Sequence, residues 1–224
     1  MTTRWRPYSS TVGSKLLIAL TGIALIAYLV VHLAGNLLLF LGPGTFNSYA
    51  HTLVSNPLIV VVEIGLAAIF IVHAYETFVT WLRNRRARPL GYHKRQWARG
   101  ASRKSVASTT MIYTGAFTLL FVVLHVRTFR YGTYYQTAGS DARDLYRLVI
   151  EVFRDPLTVA FYEVALVLAG LHLWHGFSSA VESLGGNHPR YTPLVMKAGR
   201  LISTVLAGGF LLIPLWVHFG GGRQ

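Results

Sequence analysis

Five long apolar runs dominate the sequence and exclude most folds open to a chain of 224 residues. A helix needs about 20 apolar residues to cross the hydrocarbon core of a bilayer. The runs are continuous rather than alternating, which argues against barrel strands, and open sheet edges cannot face lipid. We therefore expect an all-α, polytopic membrane protein whose residues 1–224 form a single membrane domain. The predicted spans are residues 15–41, 57–82, 105–130, 157–183 and 197–219.

The composition agrees with this class and limits the chemistry. Only 13% of the residues are charged, whereas a soluble domain carries about a quarter. There is no cysteine, so this chain cannot ligate an iron–sulfur cluster or attach a haem covalently. The sequence also lacks a G-x-G-x-x-G or P-loop pattern, so nucleotide and flavin binding have no support. Redox chemistry on a soluble substrate would need another subunit.

The net charge of +13 has an uneven distribution along the chain. Of the 21 Lys and Arg residues, 15 fall in the N-terminal segment, the 83–104 loop and the 190–200 loop. The positive-inside rule then predicts a cytoplasmic N-terminus and an outer C-terminus, in a bacterial cytoplasmic (inner) membrane. This topology explains the charge without nucleic acid. A docking surface for an acidic cytoplasmic partner is an additional interpretation.

Four histidines lie within the predicted spans, one per helix: His32, His73, His125 and His172. Ionisable groups inside a membrane are costly and are candidates for function. His73 follows Pro57 by 16 residues, and His172 follows Pro156 by the same interval. At 1.5 Å per residue this spacing predicts two histidines at one level and two at another, about 10 Å apart. Two such pairs could each ligate a haem iron, so we expect a four-helix dihaem bundle.

A weak internal repeat accompanies these histidines. Thr21-Gly22 precedes His32 by the same interval, 11 residues, as Thr114-Gly115 precedes His125. This offset is close to three helical turns, so each threonine lies on the face of its histidine. The glycines could leave room for the edge of the inner haem, or could serve ordinary small-residue helix packing. Both interpretations stay open.

Several longer stretches resemble a known family, the cytochrome b subunit of succinate dehydrogenase and fumarate reductase (succinate:quinone oxidoreductase). The similar branch is the dihaem type, with a single five-helix anchor polypeptide. The resemblance runs over nearly the whole chain. The stretches that carry it are HLAGNLLLF (32–40), FNSYAHTL (46–53), RNRRARP (83–89), HLWHGFSSAVESLG (172–185) and NHPRYTPL (187–194).

The resemblance implies a haem- and quinone-binding subunit of respiratory complex II, the succinate dehydrogenase of the tricarboxylic acid cycle. It implies two haems b: His73 and His172 match the ligands of the inner haem, and His32 and His125 match those of the outer haem. FAD and the iron–sulfur clusters would belong to a flavoprotein and an iron–sulfur subunit, and the dicarboxylate site would lie outside this chain. Family analogy favours menaquinone over ubiquinone, and a higher oligomer of the complex is compatible with it.

Less specific site residues follow from position. His175, one turn beyond His172, is a candidate contact for a propionate of the inner haem. Proximity to the iron–sulfur subunit suggests quinone or propionate contacts at Ser9, Ser10, Ser14 and Lys15, although each also suits an N-cap or an interfacial residue. In some family members a glutamate important for proton transfer lies two residues before the last ligand. Here that position is Gly170, which puts such coupling in doubt.

Other functions remain as alternatives. Within electron transfer, the chain could serve a fumarate reductase working in reverse, or be the dihaem cytochrome b of a hydrogenase or formate dehydrogenase. A haem-free transporter would use the intramembrane His and Glu residues as a proton path. A purely structural anchor would require loss of ligands, and all four histidines are present.

Overall fold

The structure is a computed structural model that describes residues 11–87, 109–137, 139 and 142–221. These residues are almost entirely helical, and an isolated bridge between Gln136 and Arg143 is their only β pairing. The helices are α1 (Thr11–Leu37), α2 (Pro43–Ser55), α3 (Leu58–Arg86), α4 (Met111–Phe129), α5 (Leu145–Val152), α6 (Pro156–Ser183) and α7 (Thr192–Trp216). A 3₁₀ turn, Leu38–Leu41, extends α1, and a distorted turn, Val217–Gly221, ends α7.

Among the described residues, five helical segments are long and apolar enough to cross a membrane. They are Thr11–Leu41, Leu58–Arg86, Met111–Phe129, Pro156–Ser183 and Thr192–Gly220. Each coincides with one predicted span, so the all-helical fold with five candidate spans is confirmed. The first segment begins four residues before its predicted start and the last begins five before.

Four of the long helices form a square, and α7 packs outside it. Helix α1 contacts α3 and α6, and α4 contacts the same two helices. Helices α1 and α4 therefore face each other along one diagonal, and α3 and α6 face each other along the other. Helix α7 packs along α6 and α1. This arrangement directs one face of each of the four helices towards a common interior.

The two short helices close one end of the bundle, here called the capped end and defined by α2 and α5. Gly42 has φ +95°, a backbone conformation that side chains disfavour, and it turns the chain from the 3₁₀ segment into α2. The main apolar core lies at this end and contains Leu39, Phe46, Val149, Ile150, Phe153, Val159, Tyr162, Ile213 and Val217. The opposite end, called the basic end, is defined by Arg83, Arg85 and Arg86 in the last turn of α3.

Polar contacts fix α5 against α2 and α4. Asn47 is buried, and its amide nitrogen donates to Asp144 Oδ1 at 2.8 Å. The same amide accepts from the backbone N–H of Tyr146 at 2.9 Å through its oxygen. Asp144 is also the N-cap of α5, because its side chain accepts from the backbone N–H of Arg147. One buried amide thus joins two segments that are about 100 residues apart.

The outward surface of the square suits a lipid environment. Helix α3 has no buried residue, and its exposed side chains are largely apolar. An apolar surface of this extent on a soluble monomer would be a site of aggregation or association. In a bilayer it lies against hydrocarbon at no cost, because all backbone groups within the helix are already paired.

Candidate functional site: two histidine pairs

The histidines of the spans meet in two pairs across the diagonals of the square. His73 on α3 and His172 on α6 form the central pair, with ring centroids 6.4 Å apart. His32 on α1 and His125 on α4 form the terminal pair, nearer the capped end, with ring centroids 5.9 Å apart. These are the two pairings expected from the sequence. The ring planes are steeply inclined within each pair, at 75° and 90°.

The central pair is seated on two matching Thr-Gly steps. Thr21 Oγ1 lies 3.1 Å from Nδ1 of His73, and Thr114 Oγ1 lies 3.4 Å from Nδ1 of His172. A β-carbon added to Gly22 would lie 3.3 Å from Cε1 of His73. One added to Gly115 would lie 3.1 Å from Cε1 of His172. Both imidazoles thus turn their Nδ1–Cε1 edge towards a threonine hydroxyl and a bare stretch of helix.

These contacts give the internal repeat a structural meaning. Each Thr-Gly step touches the histidine of the following long helix, not the histidine 11 residues later on its own helix. The glycines leave room for an imidazole edge. The pair α1 and α3 therefore carries the same contact as the pair α4 and α6, which agrees with duplication of a two-helix unit.

Aromatic and polar side chains surround the terminal pair. His32 stacks on Tyr28 with centroids 5.4 Å apart, and Asn36 Nδ2 lies 3.3 Å from its Nδ1 while donating to its backbone oxygen at 2.7 Å. The hydroxyl of Tyr162 lies 3.4 Å from Nδ1 of His125.

Further aromatic rings complete the surroundings of the terminal pair. Phe121 and Phe129 stand one turn before and one turn after His125 on α4, with ring centroids 5.6 and 5.1 Å from it. Phe210 of α7 lies 5.6 Å from His32. The terminal site is therefore flanked by rings, whereas the central site is flanked by threonine and glycine.

The donor set limits which metals the histidines could hold. No group of three or more His, Cys, Asp or Glu side chains within the described part of the chain is arranged for a metal ion. A zinc site of the ordinary kind needs three or four protein ligands. A bis-histidine haem needs only two imidazoles, since the macrocycle supplies the other nitrogens. Two metal–imidazole bonds of about 2 Å each, with the offset of each nitrogen from its ring centre, span about 6 Å. Both centroid separations fit this distance.

The other predicted site residues lie towards the basic end. Ser14 is buried and accepts from Arg83 Nη1 at 3.5 Å, whereas the neighbouring Lys15 is exposed. His175 is half-buried, one turn from His172. The ring that faces His73 is that of His172. Residues 9 and 10, the two serines also predicted as contacts, lie outside the described residues.

The intramembrane carboxylates differ in their surroundings. Glu63 pairs with Arg130 at 3.2 Å, and both side chains are more than two-fifths exposed. Such an exposed pair contributes about 0–1 kcal/mol in water. Glu163 has one oxygen that is buried without a hydrogen-bond partner in the structure. Neither carboxylate makes a hydrogen bond to a histidine of the two pairs in the described contacts.

Charged groups at the capped end hold the helices that carry the histidines. Asp155 is the N-cap of α6 and accepts from the backbone N–H and the hydroxyl of Thr158 at 2.8 and 2.7 Å. These hydrogen bonds, that of the Thr158 side chain first, hold the pKa of Asp155 below its usual range. Partial burial lowers the pKa of Arg143, whose guanidinium donates to backbone carbonyls after α4.

A separate cavity of about 290 Å³ lies at the start of α7. Its lining comes only from residues 189–200 and includes Thr192, Lys197 and Arg200. No histidine of either pair lines it. We assign the functional site to the paired histidines instead, because the interior of the square brings together the groups with chemistry.

The chain matches no protein-family model, no curated protein and no solved structure. A functional interpretation therefore depends on the residues and their arrangement.

Proposed function

We propose that the chain is a dihaem cytochrome b that anchors a quinone-linked respiratory dehydrogenase in the membrane. The carrying observation is the presence of two imidazole pairs, each joined across a diagonal of one helical square. A single buried histidine is commonly a packing residue, but two face-to-face pairs at about 6 Å are the geometry of two bis-histidine sites.

The residues assign the ligands. His73 and His172 would hold one haem b, and His32 and His125 would hold the other. The diagonal placement supports this, since a flat macrocycle between two imidazoles must also pass between the two remaining helices. The haems would be bound without covalent attachment, because the chain has no cysteine. When bound, each haem iron supplies one-electron transfer between its ferric and ferrous states.

The chain's own residues would set the conditions for that transfer. Bis-histidine ligation would leave no open iron position, so oxygen and other small ligands would be excluded. The terminal site would be screened from water by Tyr28, Phe121, Phe129 and Phe210. A low-dielectric site of this kind favours the redox state with the smaller net charge.

The finer assignment depends on the sequence resemblance. We propose that the anchored enzyme is a succinate:quinone oxidoreductase. Electrons would pass from a flavoprotein and an iron–sulfur subunit, through this chain, to a membrane quinone, with menaquinone favoured. The basic end, with Arg83, Arg85 and Arg86, would face the iron–sulfur subunit on the cytoplasmic side. Ser14 and Arg83, joined at 3.5 Å, are the candidate polar contacts for the quinone.

Ligand substitution with spectroscopy tests the pairing. His32→Ala should remove one haem and His73→Ala the other, each leaving a chain with one remaining low-spin haem. His51→Ala, in the exposed part of α2, is the matched control and should keep both. If His32→Ala and His125→Ala removed different haems, the diagonal assignment would be wrong.

A purification of the intact complex from native membranes tests the partners. We expect a covalent or tightly bound flavin and iron–sulfur signals to copurify with the chain, together with a quinone. Isolation of a coloured chain with hydrogenase or formate dehydrogenase subunits would keep the dihaem function and overturn the assignment to succinate oxidation.

A further inference from the structure

The hydroxyls of Thr21 and Thr114 have their single proton committed to the backbone. Thr21 Oγ1 donates to the carbonyl of Leu17, four residues earlier, at 2.6 Å, with Ile18 at 3.2 Å as a second acceptor. Thr114 Oγ1 donates to the carbonyl of Met111 at 3.1 Å. A hydroxyl has one proton and two lone pairs. Each oxygen can therefore only accept in its remaining contact.

The remaining contact of each hydroxyl is Nδ1 of a central-pair histidine. Since the threonine oxygen must accept, the imidazole nitrogen must donate, and Nδ1 of His73 and of His172 must carry the proton. A neutral imidazole has one N–H, so Nε2 is then a bare lone pair. The contact distances are 3.1 and 3.4 Å. The same logic operates twice, in the two halves of the repeat.

We propose that Thr21 and Thr114 are positioning residues that lock His73 and His172 in the Nδ1–H tautomer, with Nε2 free to ligate a metal. The consequence for a haem rests on the proposed function. An imidazole whose far N–H donates to an oxygen is a more basic ligand, and it stabilises the more highly charged metal state. The two hydroxyls thus hold the central iron at a lower midpoint potential than it would have without them.

The terminal pair lacks this device. The group nearest Nδ1 of His32 is the amide nitrogen of Asn36, which is a donor. The group nearest Nδ1 of His125 is the phenol of Tyr162, which can donate or accept. Neither is an obligatory acceptor. The tautomer lock is therefore a property of the central pair, and its loss should affect one site of the two.

The buried packing around the hydroxyls makes clean substitutions available. Valine has the shape of threonine without the oxygen, and serine keeps the oxygen without the methyl group. Thr118 is the matched control, because it also lies on α4 and donates to a backbone carbonyl, that of Thr114, at 2.8 Å. The full chain offers three comparisons: T21V and T114V, T21S and T114S, and T118V.

The first measurement needs no variant of the threonines. Full-length chain with ¹⁵N-labelled histidine, produced in haem-deficient cells, should show His73 and His172 protonated at Nδ1 and bare at Nε2. Assignment uses His73→Gln and His172→Gln. A protonated Nε2 at either residue in the wild-type chain would overturn the proposal, whether or not the chain binds haem.

The second measurement is a redox titration of the haem-loaded chain in its complex. T21V and T114V should each raise the midpoint potential of the central haem and leave that of the terminal haem unchanged. T21S and T114S should keep the wild-type value, and so should T118V. Equal shifts in the valine and serine variants, or in T118V, would show a packing effect and overturn the proposal. A chain without haem would refute the proposed function, and the tautomer would still be decided by the ¹⁵N spectra.

Discussion

The guanidinium of Arg143 donates to the carbonyl oxygen of Phe129, the last residue of α4, at 2.8 Å. It also reaches the carbonyls of Arg130, Gly132 and Thr133, at 3.4, 3.2 and 2.9 Å. The last carbonyls of a helix have no partner within it. One side chain from the 142–144 segment therefore satisfies the end of the helix that carries His125.

Replacing Arg143 should loosen the terminal site. Arg143→Gln removes most of these donors, and loss of charge-assisted hydrogen bonds of this kind costs about 2 kcal/mol. We expect a lower thermal midpoint in detergent and preferential loss of the haem held by His32 and His125. Arg127→Gln, an exposed change in the last turn of the same helix, is the control and should leave both unchanged. Equal retention of both haems in Arg143→Gln would show that the cap does not hold the terminal site.

Glycine-to-alanine changes test the seats of the central pair. A methyl group at Gly115 would lie 3.1 Å from Cε1 of His172, and one at Gly22 would lie 3.3 Å from Cε1 of His73. Overpacking of this kind costs about 1–3 kcal/mol. Gly115→Ala should displace the imidazole and lower the content of the central haem, with a smaller effect for Gly22→Ala.

The matched control for these changes lies on α3. A β-carbon at Gly65 would meet nothing within 4 Å, so Gly65→Ala should keep wild-type absorbance. Optical spectra of the purified variants read the outcome. A larger loss in Gly65→Ala than in Gly115→Ala would contradict the close approach of helix and ring.

The N-cap of α6 should make stability depend on acid pH. Hydrogen bonds from Thr158 lower the pKa of Asp155 in the folded chain. A lowered folded pKa gives stabilisation that is present above the ordinary carboxyl pKa of about 4 and is lost as the pH falls through the lowered value. Asp155→Asn keeps a capping side chain but cannot titrate.

Thermal midpoints between neutral and acid pH measure this contribution. The wild-type midpoint should fall more steeply than that of Asp155→Asn as the pH drops below about 4. Identical slopes would mean that Asp155 makes no contribution to the pH dependence of folding.

His172 and His175 are one turn apart on α6 and should differ sharply in effect. The ring of His172 faces His73, at 6.4 Å between centroids, so His172→Ala should abolish the central low-spin signal. His175→Ala should keep that signal with at most a shifted potential. Electron paramagnetic resonance of the oxidised variants decides between them, and the reverse pattern would exchange the ligand assignment.

The sequence was sufficient to predict the spans and the histidine pairs, because both depend on short-range regularities. Apolar runs fix where a helix can cross a bilayer, and the equal spacing of His73 and His172 from their prolines places them at one level. The pairing across diagonals followed from level alone. The orientation in the membrane, the bound cofactors and the partner subunits stay predictions.

Contacts that depend on which helices are neighbours were not predictable. The partner of Thr21 is His73 on the next long helix, a contact set by how α1 packs on α3. Helix α5 did carry a usable signal, since Leu145, Leu148 and Val149 have helical spacing. The neighbour of His32 did too, because Asn36 lies four residues later and so on the same face.

The number of haems per chain tests the central claim most directly. A pyridine haemochrome assay on purified, full-length chain, with the protein quantified by amino-acid analysis, should give close to two non-covalent haems b per chain. A value near one would mean that one histidine pair is structural. A value near zero from cells with an ample haem supply would contradict the assignment of both pairs and with it the proposed function.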